Sequence, residues 1–220
     1  MIAPIVQSME IVTLVGAADI PDAVLDESLA LCDQVVAADG GAARALAYGI
    51  VPDAVIGDFD SFDPALRACI PADRLHEVAD QNCTDFDKAL ARIKARLVLA
   101  VGFTGNRLDH ELAVYNALVR HQGGPAIVIG AVDIAFHARS DLKVSVPVGT
   151  RLSLFPFADV QMDSSGLKWP TTGLMFSPSG RVGTSNETVQ SEIHLRPSGP
   201  GMLVILPRSE LKPAIAALAG

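Results

Sequence analysis

Basic side chains are in short supply: 17 lysines and arginines stand against 25 aspartates and glutamates in 220 residues, a formal net charge of −8. A surface that grips nucleic acid by its phosphates needs the opposite balance, which argues against a nucleic-acid partner. Long apolar runs are missing too. None approaches the roughly 20 residues that cross a bilayer, and the opening stretch MIAPIVQSMEIVTLVG carries no basic flank before its apolar part. No membrane partner and no leader are therefore expected, and a cytoplasmic protein is. Cysteine is scarce: Cys32, Cys69 and Cys83 are widely and irregularly spaced, with no CxxC pair and no Cys/His cluster. They are expected to be reduced, mostly core residues, and not a zinc site. A GxxxxGK[ST] loop is absent, which excludes a Walker-type NTPase. Internal repeats and low-complexity tracts are absent as well.

Apolar residues are plentiful. They make up 50% of the chain, charged residues make up 19% and the mean hydropathy is +0.35, which excludes a disordered chain. IVTLVG (11–16), QVVAAD (34–39), AVIGDF (54–59), RLVLAVGF (96–103) and AIVIG (126–130) are near-continuous apolar runs, the pattern of strands buried on both faces. Helical patterns separate them: AARALAYG, the stretch from Thr84 to Arg96, and the stretch from Leu108 to His121. In the second, Phe86, Ala89, Leu90, Ile93 and Leu97 recur at helical spacing, and Thr84 with Asp87 makes a capping box. Strands alternating with helices predict a mostly parallel, helix-flanked α/β sheet. From about residue 135 the pattern changes. KVSVPV, RLSLFPF, TVQSEIHLRP and GMLVILP are strand-like, period-2 in places, and broken by Gly, Pro and Ser; LKPAIAALAG closes the chain as a helix. The expected organisation is an α/β domain over residues 1–138 and a small all-β, sandwich-like domain over 139–220.

The acids are unevenly placed. Eleven of the 25 lie between Asp53 and Glu111, against seven of the 17 bases, and they arrive at the ends of apolar runs, where parallel α/β sheets bind ligands. ADGGA (38–42) puts Asp39 at a strand end and Gly40–Gly41 at a helix entrance, a turn that suits either a phosphate or a tight bend. GDFDS (57–61) places Asp58 and Asp60 around Phe59, both carboxylates projecting to one side of an extended chain with Phe59 packing on the other. Two carboxylates so close call for a cation, and Mg²⁺ prefers oxygen. In DQNCTDFDKAL (80–90), Asp85 suits the helix dipole or a ligand, and Gln81 is free to meet one. GFTGNRLDH (102–110) offers Arg107 for a forked phosphate contact beside Asp109, with a surface ion pair as the plainer alternative. Carboxylates, an arginine and turn amides together suit a nucleoside triphosphate with Mg²⁺.

These motifs, in this order and spacing, resemble thiamine pyrophosphokinase (thiamine diphosphokinase), and GLKWP (166–170) with GTSNE (183–187) resembles that family's C-terminal signature. The likeness runs from about residue 11 to 206. It implies an N-terminal domain carrying ATP and Mg²⁺, a C-terminal β-sandwich that binds thiamine, and a homodimer with active sites between subunits. It implies that pyrophosphate moves from ATP to the thiamine hydroxyl, giving thiamine diphosphate and AMP. Residue by residue, Asp39, Asp58, Asp60, Asp85 and Asp109 match the acidic positions; Asp58, Asp60 and Asp85 are expected to hold Mg²⁺, and Asp85 or Asp109 to accept the hydroxyl proton. Gly40, Gln81 and Thr84 belong to the same nucleotide-binding motifs, Arg107 matches the phosphate contact, and Trp169, Ser185 and Asn186 match thiamine-recognition positions. The alternatives are a related pyrophosphokinase for another hydroxymethyl heterocycle, pterin-like, or a non-catalytic thiamine or nucleotide sensor.

Overall fold

The computed structural model describes residues 2–32, 34–60 and 62–220; Ser61, the last residue of GDFDS, lies outside them. The chain forms two compact units, one of residues 1–117 and 121–131, the other of 118–120 and 132–220. The division falls ahead of the expected boundary after residue 138. The strand at 133–138 pairs antiparallel with the strand at 202–207, which ties it to the later part of the chain.

The first unit contains β1 (Val6–Gln7), β2 (Ile11–Val15), α1 (Asp22–Leu29), β3 (Gln34–Ala38), α2 (Gly41–Ala47), β4 (Ala54–Gly57), α3 (Pro64–Arg67), β5 (Leu75–Glu77), α4 (Asp85–Leu90), β6 (Ile93–Lys94), β7 (Leu97–Val101), all but the last turn of α5 (Leu108–Arg120), and β8 (Ala126–Ile129). Strands β8, β7, β2, β3, β4 and β5 lie side by side in that order, every pair parallel. All residues of β4, β7 and β8 are buried, which is why their sequences read as unbroken apolar runs. The chain lays β3, β4 and β5 on one side of β2, then crosses to place β7 and β8 on the other. That reversal between β2 and β7 is the position where doubly wound sheets open a ligand crevice beyond their carboxyl ends.

Three expectations change in this unit. The helix foreseen from Thr84 to Arg96 stops at Leu90, and Ile93 lies in β6, paired parallel with Val6 of β1; helical spacing beyond residue 90 arose from apolar strand residues. Phe59 is buried as expected, in a cluster with Ala37, Ala42, Val55, Phe62 and Ile70. It gets there with φ +61°, so the Asp58–Asp60 segment is a left-handed bend and not an extended strand. The cysteines are not core residues: Cys32 is half-buried, Cys69 and Cys83 are exposed, and none of the three forms a disulfide.

The second unit contains β9 (Asp133–Ala138), β10 (Leu142–Ser145), β11 (Arg151–Pro156), β12 (Val160–Ser165), β13 (Met175–Phe176), β14 (Gly183–Glu187), β15 (Glu192–Pro197), β16 (Met202–Pro207) and α6 (Leu211–Ala219). Two antiparallel sheets form, in the orders β14-β11-β16-β9 and β10-β15-β12-β13. β10, β12 and β15 alternate buried and open side chains, as a sheet with one wet face does. The strand expected over TVQSEIHLRP starts only at Glu192; Val189 is exposed.

Among the described residues no helix is long and apolar enough to cross a membrane.

Candidate functional site

A cleft of about 460 Å³ opens in the first unit, lined at the ends of β2, β3, β4 and β7 by Ala17, Ala18, Asp39, Gly40, Asp58, Gly102 and Phe103, and by Gln81, Thr84, Asp85, Phe86 and Lys88 around α4. Arg107 and His110 add a rim from the start of α5. Close backbone packing brings these loops together. A Cβ on Gly57 would stand 2.7 Å from the Asp39 Cβ and Oδ1, so glycine at the end of β4 is what lets Asp39 and Asp58 approach. Gly41 answers a packing demand too, because a side chain there would run into the Val15 carbonyl; this glycine thus serves the join of α2 to the sheet. Asp39 itself has φ +41° and is 4% exposed, and its Oδ1 accepts the Phe59 N–H at 3.0 Å.

Asp39, Asp58 and Asp85 each bring a carboxylate oxygen within 4.8 Å of the others. An all-oxygen, all-carboxylate set is what a hard divalent cation such as Mg²⁺ takes, so the residues present fit that ion. Asp60 is not brought into this group. The bend at Phe59 leaves it exposed, with its N–H on Asp58 Oδ1 at 3.3 Å. Asp39, which the sequence reading did not assign to the metal, stands in the position expected of Asp60.

Lys88 was missed by that reading. Its side chain is 3% exposed, and Nζ lies 2.6 Å from Asp58 Oδ2 and 3.3 Å from Asp85 Oδ1. The signal was present: Asp85 and Lys88 are three apart on a helix and therefore share a face. The Lys88 hydrogen bond holds Asp58 below the usual carboxylate range. Burial pushes Asp85 up, and the Asp39 charge adds to that against the pull of Lys88. Burial alone would lower the Lys88 ammonium, but its bonds to Asp58 and Asp85 prevail and raise it.

Thr84 caps α4, its Oγ1 accepting the Asp87 N–H at 3.3 Å. This sets Asp85 at the first helical position, facing the cleft. At the rim Arg107 donates from Nε to Asp109 Oδ1 at 3.2 Å and from Nη2 to Oδ2 at 2.7 Å, with both side chains exposed. The surface pair is thus formed. The pair raises Arg107 and lowers Asp109. Arg107 lines the cleft; Asp109 does not.

In the second unit, Trp169, Ser185 and Asn186 come together. GTSNE is not a simple turn but strand β14, with a bulge: Leu152 faces Asn186 and Leu154 faces Gly183, so Thr184 and Ser185 oppose Ser153 alone. Ser185 has φ +59° and its N–H donates to Ser153 Oγ at 3.0 Å. Asn186, 7% exposed, then clasps the Trp169 backbone, accepting its N–H at 3.2 Å and donating to its carbonyl at 2.7 Å. The Trp169 ring is left 55% exposed, with Lys168 Nζ 5.0 Å from its centroid. An open aromatic plane held by its own backbone suits a flat, partly cationic ligand.

The family model for the Thiamin pyrophosphokinase catalytic domain matches residues 25–129, and that for its vitamin B1 binding domain matches residues 139–197. The chain belongs to the thiamine pyrophosphokinase family. A curated relative, thiamine pyrophosphokinase 1 of Oryza sativa subsp. japonica, is 23% identical over 163 residues, which are 66% of this chain and 62% of the relative. The chain thus spans less than two thirds of that relative's length. Among solved structures, the thiamin pyrophosphokinase from Candida albicans aligns with a TM-score of 0.75 at 16% identity, covering 94% of this chain and 95% of that one. The Geobacillus thermodenitrificans thiamin pyrophosphokinase gives 0.70 at 23%, covering 90% and 96%. At these identities the likeness establishes the family's fold. Both motif groups, the acidic loops and the GLKWP–GTSNE pair, fall inside the matched family models.

Proposed function

We propose that the protein is a thiamine diphosphokinase, moving pyrophosphate from ATP to the hydroxyethyl oxygen of thiamine and releasing AMP. The observation that carries this is the convergence of Asp39, Asp58 and Asp85 at the carboxyl ends of parallel strands, in a chain matched by both family models. The match of the second unit to a vitamin B1 binding domain favours thiamine over a pterin-like heterocycle.

In this reading Asp39, Asp58 and Asp85 hold Mg²⁺, and the ion, when bound, neutralises phosphate charge near the bond that breaks. Gly40, Gln81 and Thr84 line the nucleotide's place, and Arg107 leaves Asp109 for the phosphates, which offer it the same forked contact with more charge. Asp85 takes the hydroxyl proton: it is the most open of the three carboxylates and lines the cleft, whereas Asp109 does not line it. Trp169 stacks on thiamine, while Ser185 and Asn186 set the loop that presents it. Transfer of this kind asks mainly for positioning and charge stabilisation, which fixed carboxylates and an arginine provide. Two copies of the chain act together, the cleft of one facing the Trp169 group of the other, in the cytoplasm.

The deciding experiment incubates the protein with Mg-ATP and thiamine and separates the products. AMP with thiamine diphosphate is expected; ADP with thiamine monophosphate would overturn attack at the β-phosphorus, and thiamine binding without turnover would leave a sensor.

A further inference from the structure

The three carboxylates of the cleft share their enclosure with one ammonium group. Lysine is among the residues least often buried, and then only when paired; Lys88 is 3% exposed and touches two of the three acids. The core packing of α4 is supplied by Phe86, Ala89 and Leu90, each almost fully buried, so an apolar residue at 88 would complete that face without a charge. Three negative charges held together repel, and one positive charge among them relieves part of that repulsion. An entering divalent ion meets the same ammonium as a like charge within a few ångströms.

We propose that Lys88 is a positioning residue that serves as the built-in counter-cation of the acidic group. It holds Asp58 and Asp85 turned to the cleft in the absence of a divalent ion, and it weakens binding of a bare ion, so that the ion enters together with the nucleotide's phosphates. The inference rests on the reading of Asp39, Asp58 and Asp85 as the metal site.

The test is Mn²⁺ binding to the full chain, followed by electron paramagnetic resonance and by titration calorimetry, with thermal unfolding in chelator and in excess Mn²⁺. Lys88→Met keeps the stem and removes the charge; Lys88→Arg keeps the charge. Without nucleotide, Lys88→Met is expected to bind Mn²⁺ about tenfold tighter than the parent protein, as removal of one nearby like charge implies, and Lys88→Arg to stay within about twofold. The Tm of Lys88→Met is expected to fall in chelator and to recover with Mn²⁺. Unchanged or weaker Mn²⁺ binding by folded Lys88→Met would overturn the proposal, as would a Tm loss that Mn²⁺ does not restore, the mark of a purely structural lysine. The parent protein offers a check that needs no variant: its Mn²⁺ binding should tighten at least about tenfold with a non-hydrolysable ATP analogue, and equal binding without the analogue would also overturn the proposal. If Asp58→Asn in the Lys88→Met background leaves Mn²⁺ binding intact, the ion sits elsewhere and the metal reading itself fails.

Discussion

Asp58 is the residue at which the chemistry of the cleft converges, since it is shared by the carboxylate trio and by Lys88. Asp58→Asn keeps the shape and removes the charge; AMP formation with Mg-ATP and thiamine should fall by about 100-fold or more, the scale on which losing one preorganised electrostatic contact is felt. A turnover assay at saturating substrates checks this. His137 makes a different point, because its ring lies outside every motif. It is 7% exposed, Nε2 accepts the Gly201 N–H at 2.8 Å, and Nδ1 has no hydrogen-bond partner among the described residues. Burial, with Arg139 nearby, pushes its pKa from 6.5 down to about 4. The folded form resists protonation that the unfolded chain accepts, so this stability is complete above about 6.5 and is lost progressively as pH falls towards 4. Equilibrium unfolding between pH 7 and 4 should show that decline, and His137→Gln, which keeps an acceptor for Gly201, should flatten it.

At the scale of elements, α4 shows how a short helix gains a precise place. It has only six residues, too few for stability by propensity alone. Its start is set by the Thr84 cap, and its inner face by Phe86, Ala89 and Leu90. Thr84→Ala should cost about 1 kcal/mol, read as a lower Tm, and should reduce turnover too, because the first turn carries Asp85. The capping signal was legible in the sequence, and the position of Asp85 followed from it. The end of α4 was not legible: Ile93 and Leu97 continue a helical period by chance, and pairing of Ile93 with Val6 in the fold overrides it. β14 shows the reverse case. Gly, Ser and Asn of GTSNE favour turns, yet the partner strand β11 supplies the ladder that makes the segment a bulged strand.

For the whole molecule, one family domain model matches in each unit, and in the proposed function each unit carries one half of the reaction. Trp169 is the only tryptophan, so its fluorescence reports on the second unit alone. Thiamine should change that emission in a saturable way, and Trp169→Ala should raise the thiamine KM by tenfold or more, on the order of losing a stacking and cation–π contact, while leaving ATP binding near its original strength. Chelation of divalent ions should abolish turnover without abolishing the fluorescence response, because the acidic trio and the tryptophan belong to different units.

The sequence by itself determined the fold class and the loops that bear the chemistry. Doubly buried strands must be apolar throughout, half-buried ones must alternate, and the candidate acids stand out at the ends of apolar runs. It also supplied the family signature. Only the tertiary structure decided which acids meet. Asp58 and Asp60 look equivalent in GDFDS, but Phe59 takes its place in the core through a left-handed bend, and that bend leaves Asp60 outside the trio. Asp39 enters instead because Gly57 permits the ends of β3 and β4 to close on each other. For Lys88 the sequence shows half of the arrangement, its place three residues from Asp85 on one helix face; its contact with Asp58 forms only when a loop 30 residues earlier in the chain folds against it.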